Sequence, residues 1–220
     1  MTTAQSMLLR KTVATRATAA AAPARAVAVT DWRTALPRMR VEDATLRELQ
    51  VSDAPALLQA LSTEQVTRFI SPPPTTVEGF ERFIAWTAGE HAAGRYICFA
   101  IVPDDCGTVK GIIQIRQLDP SFHVGEWGFA LDHEYWGTGL FQAAAKAALA
   151  FAFTCVGVHR LEARAAVDNG RGNGALRKLG ATADGVLRRS FIKDGIYHDQ
   201  ILWGIVSSEW MQEAPPPRLH

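Results

Sequence analysis

The spacing of apolar positions along this chain changes several times, and each change marks a new element. Residues 40–49 alternate loosely between apolar and polar and predict a first strand. Leu57, Leu58 and Leu61 share one face of a helix that Ser52 and Asp53 can cap. Ser71-Pro-Pro-Pro74 breaks the chain, and Thr75 or Thr76 can cap a second helix. There Val77, Phe80, Ile84 and His91, with Phe83 and Trp86 nearby, follow helical spacing up to Gly94. Residues 96–102 form a continuous apolar run, and 109–115 follow an Asp104-Asp105-Cys106-Gly107 turn, so the two predict a hairpin. A third strand over 124–131 leads into an Ala-rich helix over 137–153. In 159–167, Leu161, Ala163, Ala165 and Val167 share one face while Glu162 and Arg164 share the other. A short helix over 175–179, stopped by Gly180, precedes strands at 185–192 and 199–206 joined by Lys193-Asp194-Gly195.

The order β-α-α-β-β-β-α-β-α-β-β predicts an α/β domain of the α+β type. A mixed, mostly antiparallel central sheet is flanked by helices, with a β-α-β unit at its middle. The domain is expected over 37–210, after an extension at 1–36 and before a Pro-rich tail at 211–220. The first thirty residues carry Arg10, Lys11, Arg16 and Arg25 and no acidic residue. Such a start resembles an organellar transit peptide, but a disordered extension is the plainer reading and the one taken here.

Composition narrows the function. The 23 basic residues nearly cancel the 22 acidic ones, leaving a formal charge of +1, which argues against direct nucleic-acid binding. The three cysteines are widely spaced, so neither a zinc knot nor a disulfide framework is implied, and a cytoplasmic location is expected. Cys98 and Cys155 sit in apolar stretches and are expected in the core. No apolar run approaches the ~18 residues of a membrane span.

The most informative segment is Glu126-Trp-Gly-Phe-Ala-Leu-Asp-His-Glu-Tyr-Trp-Gly-Thr-Gly-Leu-Phe-Gln142. A strand ends in a Gly-x-Gly turn and a helix begins at once, which aims unpaired N–H groups and a helix dipole at whatever lies beyond the strand. That is a seat for phosphate. A dinucleotide fingerprint would need a third glycine where Gln142 stands, and a P-loop would need Gly-Lys-Ser/Thr; both fail.

The chain resembles the GNAT superfamily of N-acetyltransferases, whose motif Q/R-x-x-G-x-G/A lies between a strand and a helix. Here it reads Glu134-Tyr135-Trp136-Gly137-Thr138-Gly139. The Tyr-Trp-Gly-x-Gly form is similar to the ribosomal-protein-alanine acetyltransferase branch. So are Arg160-Leu161-Glu162-Ala163, then Val167-Asp168-Asn169, then Lys178-Leu179-Gly180, and finally Asp199 in Tyr197-His198-Asp199. The resemblance spans about residues 45–206 and implies acetyl-CoA as co-substrate, with no metal. It implies that backbone groups of Phe129 and Leu131 bind the pantetheine arm. The N–H groups of Trp136, Gly137, Thr138, Gly139, Leu140 and Phe141 would then hold the pyrophosphate, with Asn169 near the thioester. Two departures stand out. Glu134 replaces a basic or amide residue and is expected to point away or to pair with a base such as Lys146. Gly172 replaces a small hydroxyl residue.

Acetyl transfer needs an amine without its extra proton, donors for the developing oxyanion, and a proton for the departing thiolate. Glu126 is the leading base, on a face shared with Gly128 and Ala130; its alternative role is an ion pair with Arg116. Glu162 is the second candidate, or else an ion-pair partner of Arg164 on the same face. The superfamily often places a tyrosine seven residues after the Asn; here that position is Leu176, leaving Tyr197, Ser190 or water to protonate the thiolate. The Arg171, Arg177 and Lys178 cluster is either a solvated helix face or an attractor for the 3′-phosphate. The expected acceptor is a protein N-terminal amine or a small amine, used by a monomer or homodimer. A non-catalytic acyl-CoA sensor is the alternative.

Overall fold

The computed structural model describes residues 31–213, so the expected basic extension up to residue 30 and the prolines beyond 213 lie outside the described residues. Trp32 and Leu36, ahead of Pro37, are already buried in the core. The first expected strand is two: β1 (Met39–Val41) and β2 (Ala44–Glu48), folded into a hairpin at Glu42, which takes a positive φ of 39°. Loose alternation could not reveal that two-residue turn.

Three helices follow: α1 (Ala54–Leu61), the single turn α2 (Glu64–Thr67) and α3 (Val77–Ala92). Thr76 caps α3 by accepting the Gly79 N–H at 3.0 Å. Asp53 is engaged differently from expectation. Its carboxylate accepts two bonds from Arg47, at 2.7 and 2.8 Å, and the Gln50 N–H at 2.8 Å, in place of capping α1.

Next come β3 (Tyr96–Pro103), β4 (Gly111–Gln117), β5 (Val124–Leu131), α4 (Leu140–Phe151) and β6 (Arg160–Ala166). The chain closes with α5 (Gly170–Lys178), β7 (Thr182–Lys193), β8 (Ile196–Val206) and α6 (Ser207–Glu213). The Ala-rich helix does not continue to Phe153 in α form: a π-helical turn covers Ala152–Val156 and puts Cys155 on the surface, against expectation. Cys98 is buried as expected, and that burial pushes its thiol pKa up.

The eight strands form one sheet in the order β1-β2-β3-β4-β5-β6-β8-β7, antiparallel except for β5 beside β6. Two hydrophobic clusters lie on its faces. Trp127, Leu131, Ile113, Phe99, Leu161 and Ala163 pack with Ala144, Ala148 and Leu149 of α4 and with Leu176 of α5. On the other face Tyr96, Cys98, Ala100, Ile112 and Ala130 pack with Leu57 and Leu61 of α1 and with Phe80 and Ile84 of α3. Period-two alternation sorts each strand between these clusters. Glu126, Gly128 and Ala130 therefore share the α1/α3 face, as do Glu162 and Arg164.

Candidate active site

Parallel pairing of β5 with β6 covers three rungs: Val124 with Arg160, Gly125 with Leu161 and Glu126 with Glu162. Beyond them β5 stays paired to β4 as far as Leu131, while β6 stays paired to β8 as far as Ala166. The two strands thus part at Glu126 and Glu162, and a cleft opens toward their C-terminal ends. The Asp132 N–H bonds Lys110 O at 2.7 Å and the Leu118 N–H bonds Val124 O at 2.8 Å. Even-numbered residues of β5 therefore turn their backbone groups to β4, and Trp127, Phe129 and Leu131 turn theirs to the cleft. An extended amide-bearing arm can pair with such an edge. Leu131 O is already held by Trp136 Nε1 at 2.9 Å, so the free donor at that position is its N–H.

At the head of the cleft, Gly137 (φ 80°) and Gly139 (φ 95°) bring the chain into α4. A Cβ built at either glycine meets nothing within 4 Å, so open space faces both. The left-handed backbone, not crowding by neighbours, is what calls for glycine here. The first N–H groups of a helix have no acceptor within it. Thr138 Oγ1 accepts the Leu140 N–H at 3.3 Å and itself donates to Tyr135 O at 2.9 Å, which fixes the turn. A diphosphate fits this open, positive-dipole terminus. Trp136 packs against both hydrophobic clusters and carries the Arg171 guanidinium 4.5 Å above its ring. Glu134 is largely exposed, and its nearest cation is Lys110 at 3.9 Å, not Lys146. Lys110 also bonds the buried Asp132 at 3.2 Å. Desolvation opposes its charge, but Asp132, together with Cys106 and Glu134, raises its pKa.

Across the cleft, Asn169 caps α5 by accepting the Gly172 N–H at 2.9 Å. A Cβ at position 172 would come within 2.5 Å of Asn169 Nδ2, so the glycine that departs from the family pattern makes room for this cap. Asn173, which the sequence reading missed, is buried and donates to Ala166 O at 2.9 Å and Val167 O at 3.3 Å. It also accepts the Trp203 indole N–H at 2.9 Å, tying the end of β6 to α5 and β8. Gln142, also missed, links α4 to Ala175 O at 3.1 Å. The expected Arg171, Arg177 and Lys178 cluster is divided: Arg171 lies over Trp136 and Arg177 over Trp203, 5.6 Å from its centroid.

A row of register partners crosses the sheet on the α1/α3 face: Tyr96, Arg116, Glu126, Glu162 and Gly204. Arg116 donates to Glu126 Oε2 at 2.5 Å, and among the described residues Oε1 has no hydrogen bond. Glu162 accepts from Arg160 Nε at 3.0 Å, where the sequence had suggested Arg164, and Arg160 also reaches Asp184 at 2.5 Å. Gly204 leaves room for that pair, since a Cβ there would stand 2.6 Å from Asp184 and 2.7 Å from Arg160. The two carboxylates raise the pKa of Arg160, Asp184 most strongly, against the cost of burial. Tyr96 donates to Gln114, and burial pushes its phenol well above the usual tyrosine range. Beside Glu126, a Cβ at Gly128 would meet nothing within 4 Å, so the ground next to the carboxylate is open.

Leu176, where the family often has tyrosine, is fully buried. Tyr197 is 61% exposed near the tip of the β7–β8 hairpin, and Ser190 donates to Leu187 O at 3.0 Å beside the end of the cleft. Among the described residues no cluster of His, Cys, Asp and Glu is arranged for a metal, and no helix is long and apolar enough to cross a membrane.

Known proteins agree with this geometry. The uncharacterized N-acetyltransferase YoaA of Bacillus subtilis (strain 168) is 25% identical over 173 residues, covering 77% of this chain and 97% of YoaA. The ribosomal-protein-S5-alanine acetyltransferase of Vibrio fischeri superimposes with a TM-score of 0.72 at 20% identity, covering 79% of this chain and 98% of that one. Mycobacterium smegmatis RimJ, solved in complex with CoA-disulfide, gives a TM-score of 0.72 at 24% identity over 80% of this chain and 88% of its own. Residues 43–182 match the family model for the acetyltransferase (GNAT) domain, which takes in the strands that part, the glycine turn and the Asn169 cap. The chain belongs to the GNAT family of acetyl-CoA-dependent N-acetyltransferases.

Proposed function

We propose that this acetyltransferase acts on protein N-terminal α-amines by direct transfer in a ternary complex, with Glu126 as general base. One observation carries the reading: Glu126 stands on the last rung before β5 and β6 part, with Oε1 free and open ground at Gly128 beside it. Acetyl-CoA supplies a thioester; the residues of the chain place and deprotonate the amine that attacks it. The N–H groups of Gly137, Thr138, Gly139 and Phe141, the cleft-facing backbone of Phe129 and Leu131, and Asn169 hold the coenzyme; the N–H groups of Trp136 and Leu140 instead close the turn on His133 O at 3.1 Å and Thr138 Oγ1 at 3.3 Å. Arg116 fixes Glu126 through Oε2, leaving Oε1 to take the proton from the incoming ammonium. An α-amine, with a pKa of ~8, gives up that proton to a weak base far more readily than a lysine at ~10.4. As nitrogen bonds the acetyl carbon, the carbon–sulfur bond breaks, and the surplus proton on nitrogen passes through water to the departing thiolate, leaving the amide and the free CoA thiol. The S5-alanine acetyltransferase of V. fischeri, which shares the fold, supports a protein terminus as acceptor.

Incubation with acetyl-CoA, peptides bearing free α-amines, lysine peptides with blocked termini, and a polyamine tests this. Acetyl groups located by mass spectrometry on α-amines, with matching release of free thiol, are expected. Modification confined to lysine side chains or to the polyamine would overturn the assignment.

A further inference from the structure

A cavity of about 880 Å³ lies on the β7–β8 hairpin beside the cleft and is lined by Arg164, Arg188, Arg189, Ser190 and Asp199 among others. Arg164 is two residues past Glu162 on β6, opposite Leu202, so this wall of the cavity lies on the same sheet face as the candidate base. The other wall comes from an irregularity in β7. Leu187 pairs with Gln200 and Phe191 with His198, so residues 188–190 stand opposite Asp199 alone. Arg189 takes a positive φ of 51°, costly for a side chain of its kind, and its N–H is held by Asp199 Oδ1 at 2.8 Å. Bulges of this sort re-aim side chains and are common beside active sites.

What sets this wall apart is that its arginines lie together without carboxylate partners, whereas among the described residues Arg68 and Arg82 also lack one but line no such cavity. Arg40, Arg47, Arg95, Arg116 and Arg160 each have a carboxylate partner. Among the described residues Arg164, Arg188 and Arg189 form no salt bridge, and all three are exposed. Asp199, the one acidic group lining the cavity, has an oxygen bound to the backbone. A nearly neutral protein thus gathers three unpaired guanidiniums at the side of its cleft. Guanidinium forks match carboxylates and repel cations.

Building on the N-terminal-amine reading, we propose that the acceptor is an acidic polypeptide terminus, whose Asp or Glu side chains just behind the reacting amine are received by Arg164, Arg188 and Arg189. A polycation would meet like charge at this wall.

The test uses the full chain saturated with CoA and a pair of product peptides, N-acetylated and identical except that one carries Asp and Glu behind the first residue and the other Lys. Calorimetric titration is expected to show the acidic peptide binding at least about tenfold more tightly, with the gap narrowing as salt screens the charges. Arg188→Glu should abolish or invert the preference. Arg189→Gly, which suits the positive φ, should weaken it with the fold intact. Equal binding of the two peptides, or a preference that survives Arg188→Glu, overturns the proposal. So does a loss of CoA affinity in these variants in place of peptide affinity, which would assign the arginines to the coenzyme. Selective binding of the acidic peptide without turnover of its unblocked form would leave the charge selectivity standing and refute the catalytic reading.

Discussion

Glu126 and Glu162 face each other across the last shared rung of β5 and β6, and each is held by a different arginine: Arg116 for the first, Arg160 for the second. Two like charges on adjacent strands repel, so these arginines are needed for the rung to close. The pairing also separates the roles of the two glutamates. Arg160 spans Glu162 and Asp184 and so links β6 to β7, whereas Arg116 leaves one oxygen of Glu126 uncommitted.

Glu126→Gln is therefore expected to lower kcat by about 10²-fold or more, the scale of general-base catalysis, and to flatten the rise of rate with pH. CoA affinity should be unchanged by titration. Glu162→Gln should mainly lower thermal stability by loosening Arg160. The reverse pattern in the two pH–rate profiles would exchange their assignments.

Gly139→Val places a side chain where φ is 95° and where phosphate must approach. Since no protein atom crowds that position, the stability loss should stay near the 1–2 kcal/mol of a left-handed β-carbon. The apparent KM for acetyl-CoA should rise at least about tenfold, because an anion held by main-chain N–H groups cannot tolerate the added bulk. Steady-state kinetics beside a thermal melt separates these effects.

Restoring the family's hydroxyl residue with Gly172→Ser should do harm. Its Cβ would run into the Asn169 amide and displace the cap, at a cost of about 1 kcal/mol, and weaken coenzyme binding in parallel. An unchanged melting temperature would show that Asn169 can move aside freely.

Asn173→Leu leaves the Trp203 indole N–H and the Val167 carbonyl without their side-chain partner, while Ala166 O keeps only the Asn169 N–H at 2.9 Å. A loss of about 2–4 kcal/mol is expected in chemical denaturation, larger than for any surface change.

Asp119 gives a pH dependence of known sign. Bonds from the Ser121 hydroxyl and the Val124 N–H, which hold the entry of β5, lower its carboxyl pKa. A depressed folded pKa gives stability that is present above the unfolded value of ~3.9 and lost as pH falls through the folded one. Asp119→Asn should therefore flatten the acid limb of a melting-temperature curve and leave its slope near neutrality untouched.

The geometry of the glycine turn was legible because it is local in sequence. The strand, the two glycines and the helix lie within about a dozen residues, and their chemistry does not depend on distant partners. The parting of β5 from β6 was not legible, since no residue type marks where two strands stop pairing. Asn173 escaped for a similar reason: its role rests on Trp203, thirty residues on, and on carbonyls of β6. Gly172 read only as a departure from the family pattern because the clash it avoids exists only once Asn169 folds back over the helix. The 40–49 segment concealed a hairpin because Glu42 supplies the positive φ that a glycine would have advertised. Arg188 and Arg189 looked like ordinary strand residues until the shifted register of β7 turned them toward Arg164.

Trp136 joins the two packed faces mechanically. One indole touches the packing on both sides of the sheet while its own backbone begins the phosphate turn. Occupancy of that turn should then stiffen regions that share no other contact with the ligand. Slowed amide exchange on α3, whose Phe80 and Ile84 belong to the cluster that Trp136 packs against, would be the sign that a filled cleft also firms the wall against which an acceptor settles.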